Sequence, residues 1–157
     1  MGAPMTTLDV HPPDRGVAHP PDLDMDALYR RAEDARTRAY APYSGFYVGA
    51  ALLAADGSVI TAGNVENGSY GMTICAERAA VVRAVAEGHS RFRAIVIAAA
   101  SDDVHTAAPC GACLQVLAEF DQDERLVVAF PQGGSLQAWR LTDLLPVRFR
   151  LDPERSA

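Results

Sequence analysis

All three cysteines of this 157-residue chain lie in two short segments, Thr73-Ile74-Cys75-Ala76-Glu77-Arg78 and Pro109-Cys110-Gly111-Ala112-Cys113. Cys110 and Cys113 are three residues apart, a spacing that puts both thiols on one face of a helix. Cys75, near the start of another helix, can complete a set of three sulfurs. A helix start favours the thiolate, which is the metal-binding form, through its dipole and unpaired N–H groups. Zinc suits three such ligands, and three protein ligands leave its fourth tetrahedral position open to water, as in catalytic rather than structural sites. Glu77, two residues past Cys75, is the nearby group able to move protons on and off a water held there. Three thiolates on a divalent ion leave one net negative charge. Arg78, three residues from Cys75 on the same helical face, can donate to sulfur and offset it. The rival ligand is His105, five residues before Cys110: it would close the sphere and turn the site into a structural one. A solvent-facing histidine is the simpler reading.

Composition bounds what such a site can serve. The length suits one domain that buries roughly 70% of its unfolded surface. A formal charge of −6 argues against a protein that grips nucleic-acid phosphates. No apolar run approaches the roughly 20 residues of a membrane span, and no signal peptide opens the sequence. Three cysteines cannot pair completely within one chain, so a reduced, cytoplasmic protein with a metal or reactive-thiol site is expected. Residues 1–22 hold five of the ten prolines and read as a disordered leader, in which His11 and His19 have no fixed scaffold. The domain proper is expected over 23–151, with 152–157 a frayed tail.

The elements that must position the site follow from periodicity. Asp24 or Asp26 can cap a helix whose Leu28, Ala32, Ala35 and Ala39 recur at helical spacing, ending at Pro42. Residues 46–55 form an apolar run closed by Asp56-Gly57, and Ser58–Gly63 reads as the returning strand of a hairpin. Asn64–Gly71 is a polar loop too long for a turn, leading into the first cysteine segment. Cys75–Glu87 is the second helix, with Cys75, Ala79, Val82 and Ala86 on one face and Gly88 past its end. Phe92–Ala100 is a strand covered on both faces. Pro109 suits a first helical position, with a stripe of Cys113, Val116, Leu117 and Phe120 behind it. Leu126–Phe130, Leu136–Leu141 and a helical turn at Thr142–Leu145 complete the chain. This order implies an α/β, three-layer α-β-α sandwich around a five-stranded mixed sheet, with each strand–helix–strand step giving a parallel pair.

The motifs Tyr43-Ser44-Gly45-Phe46, Asn64-Val65-Glu66-Asn67, Ser69-Tyr70-Gly71, Cys75-Ala76-Glu77-Arg78, Pro109-Cys110-Gly111-Ala112-Cys113 and Leu144-Leu145-Pro146 are together similar to the small, all-cysteine class of cytidine deaminases. Zinc nucleobase deaminases in general combine such a metal with a glutamate that is not a ligand. The resemblance implies one zinc per chain on Cys75, Cys110 and Cys113, with Glu77 as proton shuttle in the hydrolysis of cytidine or 2′-deoxycytidine. It implies that Asn64 and Glu66 hold the ribose hydroxyls, that Phe46 packs on the nucleoside, and that the Ala76 N–H meets the base O2. It implies a homotetramer with shared active sites, in which Phe149 reaches a neighbour's site. The expected partner is a small nucleoside, not a nucleic-acid polymer or a membrane, and the expected setting is cytoplasmic pyrimidine salvage.

One departure stands out. The family usually has Cys-Arg-Gln where this chain reads Cys113-Leu114-Gln115. Position 114 lies four residues from Cys110, so the missing arginine is expected near the sulfurs or at an interface. A deaminase of a cytosine-nucleoside antibiotic of the blasticidin S type is therefore the alternative, and a non-catalytic zinc-stabilised binding module a distant third.

Overall fold

The structure is a computed structural model describing residues 21–151. The leader up to residue 20 and the tail 152–157 lie outside the described residues.

Helix α1, Met25–Arg36, is capped by Asp24, whose side chain accepts from the Ala27 N–H at 2.8 Å. Its buried face is Met25, Leu28, Ala32 and Ala35. The helix stops well before Pro42. Arg38 and Ala39 donate to the carbonyls of Ala35 and Arg36, tightening the last turn. Tyr40 then leaves to exchange backbone bonds with Asn64 and Glu66, at 2.9 and 2.8 Å. This pairing anchors the polar loop and competes with further helix.

The sheet comprises β1 (Val48–Ala54), β2 (Val59–Gly63), β3 (Phe92–Ala99), β4 (Val127–Gln132) and β5 (Ser135–Arg140), in the order β2-β1-β3-β4-β5. Asp56-Gly57 closes the β1–β2 hairpin, and only β3 and β4 pair in parallel. The expected parallel step from β2 to β3 is corrected: β1 lies between them, antiparallel to both.

Strand alternation sends side chains to two cores. On one face Leu52, Ile95, Ile97, Val128 and Phe130 meet α2 (Ala76–Ala86) and α4 (Gly111–Ala118). On the other, Ala51, Leu53, Ala94, Val96 and Ala98 meet α1. The small residues let α1 lie close, and a Cβ on Gly49 would stand 2.0 Å from the Ala32 carbonyl oxygen. The result is the three-layer sandwich, with a five-stranded mixed sheet in the middle.

Two helix faces differ from the periodic reading. In α2 the buried residues are Ala76, Glu77, Ala80, Val81 and Ala84, while Val82 and Val85 are exposed. Cys75 is the N-cap, so the packed stripe starts one residue later than expected; Gly88, at φ +92°, ends the helix in the left-handed conformation. In α4 the cap is Cys110, so Pro109 precedes the cap instead of opening the helix. Its packed face is Cys113, Leu114, Leu117 and Ala118, with Val116 and Phe120 only partly buried. Leu114 is buried in the core cluster on this face of the sheet. Two short helices, α3 (Val104–Ala107) and α5 (Leu141–Leu144), complete the fold. Among described residues, no helix is long and apolar enough to cross a membrane.

Candidate active site

Both helix starts that face the cleft are built alike. Cys75 and Cys110 each occupy the N-cap in extended conformation, at φ/ψ −70°/154° and −68°/162°. Neither sulfur caps its own helix, which leaves both free for other work. Cys113, in the first turn of α4, is fully buried. The three Sγ atoms lie within 4.8 Å of one another, with Cys110 and Cys113 at 3.5 Å. Zinc at about 2.3 Å from each sulfur of a tetrahedron needs sulfurs roughly 3.8 Å apart. The trio fits one zinc ion. His105 sits exposed on α3, and the cluster does not include it.

Charge is unevenly spread over the sulfurs. Hydrogen bonding from the Cys113 thiol, reinforced by Arg78, lowers Cys75 to about 5. Cys113 is pushed upward, chiefly because its proton serves Cys75 and then because it is buried. Metal binding releases such protons, since the thiolate is the ligand. Arg78 Nη2 donates to the Thr73 carbonyl at 3.0 Å and lies 3.9 Å from Cys75 Sγ, while its buried Nε has no partner. The arginine is thus fixed by backbone and aimed at sulfur.

Glu77 is 5% exposed at the start of α2. The helix dipole favours its carboxylate, yet burial dominates and raises the carboxyl to about 7. A group near that value can both accept and donate a proton at neutral pH. It opens onto a cleft of about 210 Å³ whose walls include Phe46, Asn64, Cys75, Ala76 and Cys110. Ala76 is the first residue of α2, where N–H groups have no intrahelical acceptor. The Asn64 amide is pinned: Oδ1 accepts from the Val48 N–H at 2.8 Å and Nδ2 donates to the Phe46 carbonyl at 3.0 Å. Each group keeps one further hydrogen-bonding position.

Glu66 lies outside this cleft. It lines an adjoining hollow of about 340 Å³ with Tyr43, Ser44 and Tyr70, and Thr73 borders both spaces. Its carboxylate accepts from the Tyr43 and Ser44 N–H groups, at 2.8 and 3.3 Å, and from the Ser44 hydroxyl. These bonds, the hydroxyl first, hold it below the usual carboxylate range. Phe149 borders neither space and is 71% exposed as a residue. The sequence reading assigned no part to Thr106, Ala107 and Ala108, which wall the cleft from α3 and its end. A four-residue helix leaves too short a periodicity to find. Ser44 was present only as part of a motif, with no sign that it serves Glu66.

Comparison with known proteins agrees with this geometry. Residues 24–130 match the family model described as the cytidine and deoxycytidylate deaminase zinc-binding region. A cytidine deaminase of Halalkalibacterium halodurans is 45% identical over 127 residues, covering 81% of this chain and 95% of that one. The crystal structure of cytidine deaminase from Burkholderia pseudomallei superposes with a TM-score of 0.72 at 44% identity, covering 79% of this chain and 98% of the other. A blasticidin-S deaminase of Bacillus cereus is more distant, 29% identical over 109 residues, covering 66% of this chain and 76% of that one. Its three clustered sulfurs fitting one zinc ion, the chain belongs to the cytidine and deoxycytidylate deaminases and is a zinc-dependent enzyme.

Proposed function

We propose that the protein hydrolyses cytidine and 2′-deoxycytidine to uridine and 2′-deoxyuridine, releasing ammonia. The observation that carries this reading is the buried Glu77 carboxyl opening onto the same cleft as Cys75 and Cys110. Zinc on Cys75, Cys110 and Cys113 supplies the Lewis acidity that makes water a nucleophile at neutral pH. Glu77 takes a proton from the attacking water and gives it to N3 as oxygen bonds to C4. It then carries the second proton to the C4 amine, which leaves as ammonia. The Ala76 N–H accommodates O2, and Phe46 offers an aromatic face to the pyrimidine. Asn64 from the cleft wall and Glu66 from the adjoining hollow receive the ribose hydroxyls. A carboxylate there accepts from sugar hydroxyls and repels phosphate, which favours a nucleoside over its nucleotide.

The remaining parts of the reading concern assembly and setting. Phe149, too exposed to serve its own cleft, contributes to a neighbour's nucleoside site within a homotetramer. The enzyme works in the cytoplasm, in pyrimidine salvage. The antibiotic deaminase is the weaker reading, because the relative with that name is the more distant. A spectrophotometric panel of cytidine, deoxycytidine, cytidine monophosphate, cytosine and blasticidin S tests all of this, with zinc measured on the same sample. Turnover of both nucleosides and not the monophosphate is expected. Preference for blasticidin S, or for the monophosphate, would overturn the assignment.

A further inference from the structure

Beyond β5 and α5 the chain continues to residue 151 without regular secondary structure to hold it. Side chains do. Gln115 Nε2 donates to the Phe149 carbonyl at 2.9 Å, and its Oε1 accepts from the Phe149 N–H at 3.2 Å. The amide thus grips one residue on both of its backbone groups, as a neighbouring strand would. Arg148, just before it, turns inward and pairs with Asp121 at 2.8 Å, the two side chains being 6% and 3% exposed. Asp121 also accepts from the Arg125 and Leu126 N–H groups, at 2.9 and 2.8 Å, so its position is fixed independently of the tail. Glu124 binds Arg148 at 2.8 Å and Arg150 at 3.4 Å. Residues 148 and 150 are tied down, and Phe149 between them is left with its ring outward. Of these side chains, Gln115 alone holds the Phe149 backbone, while Asp121 and Glu124 hold the arginines on either side of it. Phe149 itself stays 71% exposed, so the ordering of this segment is not repaid by burial of its aromatic residue within the chain.

We propose that Gln115, with Asp121 and Glu124, forms a clamp that presents Phe149 to the nucleoside site of a second copy of this chain. Gln115 is a positioning residue: it touches no substrate and acts through the Phe149 backbone. The proposal rests on the reading of Phe149 as a nucleoside contact given above. It also links the two halves of the enzyme, since Gln115 stands on α4 two residues beyond Cys113. The helix that carries two metal ligands in one subunit thereby sets the position of an aromatic ring in another.

The test uses full-length zinc enzyme and four forms: wild type, Gln115→Leu, Phe149→Ala and the double variant. Gln115→Glu is a fifth, retaining the acceptor for the Phe149 N–H while removing the donor, in case the leucine form does not fold. Hydrogen exchange at the residue-149 amide reads the clamp itself. Protection in wild type and its loss in Gln115→Leu are expected, with zinc content unchanged. For cytidine, KM should rise about tenfold in Gln115→Leu with kcat within about twofold, the scale of two lost neutral hydrogen bonds. In the Phe149→Ala background the same change should raise KM less than about twofold, because interacting residues are not additive. Gln115→Glu should fall between wild type and Gln115→Leu in both readouts. Unchanged amide protection in Gln115→Leu, or in Gln115→Glu if that form alone folds, overturns the clamp. Full additivity in KM shows that Gln115 acts by another route and overturns the positioning role. If Phe149→Ala leaves KM unchanged while Gln115 variants lose protection, the clamp exists but the reading of Phe149 fails, and the proposed purpose fails with it.

Discussion

The starts of α2 and α4 and the surface segments 64–73 and 147–151 are built in contrasting ways. At the helix starts, Ala76, Glu77, Cys113 and Leu114 are buried against the sheet, and the packing that makes the core also places the sulfurs. In the surface segments, Glu66, Tyr70 and Phe149 are held by hydrogen bonds to backbone or by short-range turns, with little apolar burial. The second region leaves aromatic rings in solvent, Tyr43 edge-on to Tyr70 with ring centroids 6.3 Å apart and Phe149 facing outward. On the proposed reading, bond-making falls to the buried region and recognition to the exposed one.

Breaking the buried region should cost most. Cys110→Ala should abolish zinc binding and activity together, whereas His105→Ala should keep one zinc per chain and near-normal turnover. Metal analysis and a deamination assay on both variants separate these outcomes, and loss of zinc from the His105 form would restore the structural-site alternative.

Next in size is Arg78→Ala, which removes a charged donor from the Cys75 sulfur and the Thr73 carbonyl. Such a bond contributes roughly 1.5–3 kcal/mol, so kcat should fall about 10- to 100-fold with zinc retained. A rate near wild type would show that Arg78 does not tune the metal. Leu114 adds weight to this test. Packed in the core and apolar, it supplies no donor to the sulfurs.

A smaller effect is expected at the surface. Glu66→Gln should raise KM for cytidine about tenfold and change kcat little, the loss of a charge-assisted hydrogen bond made equally in ground and transition states. An unchanged KM would detach the adjoining hollow from the sugar. The same variant has a still smaller signature in stability. Since the folded protein holds this carboxyl below its ordinary 4.5, its contribution is complete above that value and is lost as pH falls through the lowered one. The fall in Tm as pH drops from about 6 to about 3 should therefore be smaller in Glu66→Gln than in wild type. Equal falls would mean that the bonds from Tyr43 and Ser44 contribute nothing to folding.

The same contrast separates what the sequence reveals from what it hides. The sandwich, the hairpin at Asp56-Gly57 and the three sulfurs are legible because periodicity, turn chemistry and residue type are local signals. The packed faces of α2 and α4 are less so, being displaced by one residue once a cysteine serves as cap. Alanine-rich helices such as Ala76–Ala86 blur their own stripe, and Val82 and Val85 are apolar yet exposed. The early end of α1 is hidden as well, because Tyr40 is drawn off by Asn64 and Glu66, more than twenty residues downstream. The partners of the tail are the least legible. Gln115, Asp121 and Glu124 meet residues 148–150 across 24 to 34 positions, with no motif to mark the encounter.

The central claim is that Glu77 moves the protons in a cleft whose metal ligands are complete without it. Glu77→Gln tests it most directly, because the amide keeps the shape of the side chain and cannot shuttle a proton. General acid–base catalysis is typically worth about 10²–10⁴-fold, and one residue serving two transfers belongs at the upper end. The account predicts a fully folded variant with one zinc per chain and a kcat for cytidine lowered at least about 10³-fold. A zinc-loaded Glu77→Gln protein within about tenfold of wild type would contradict it.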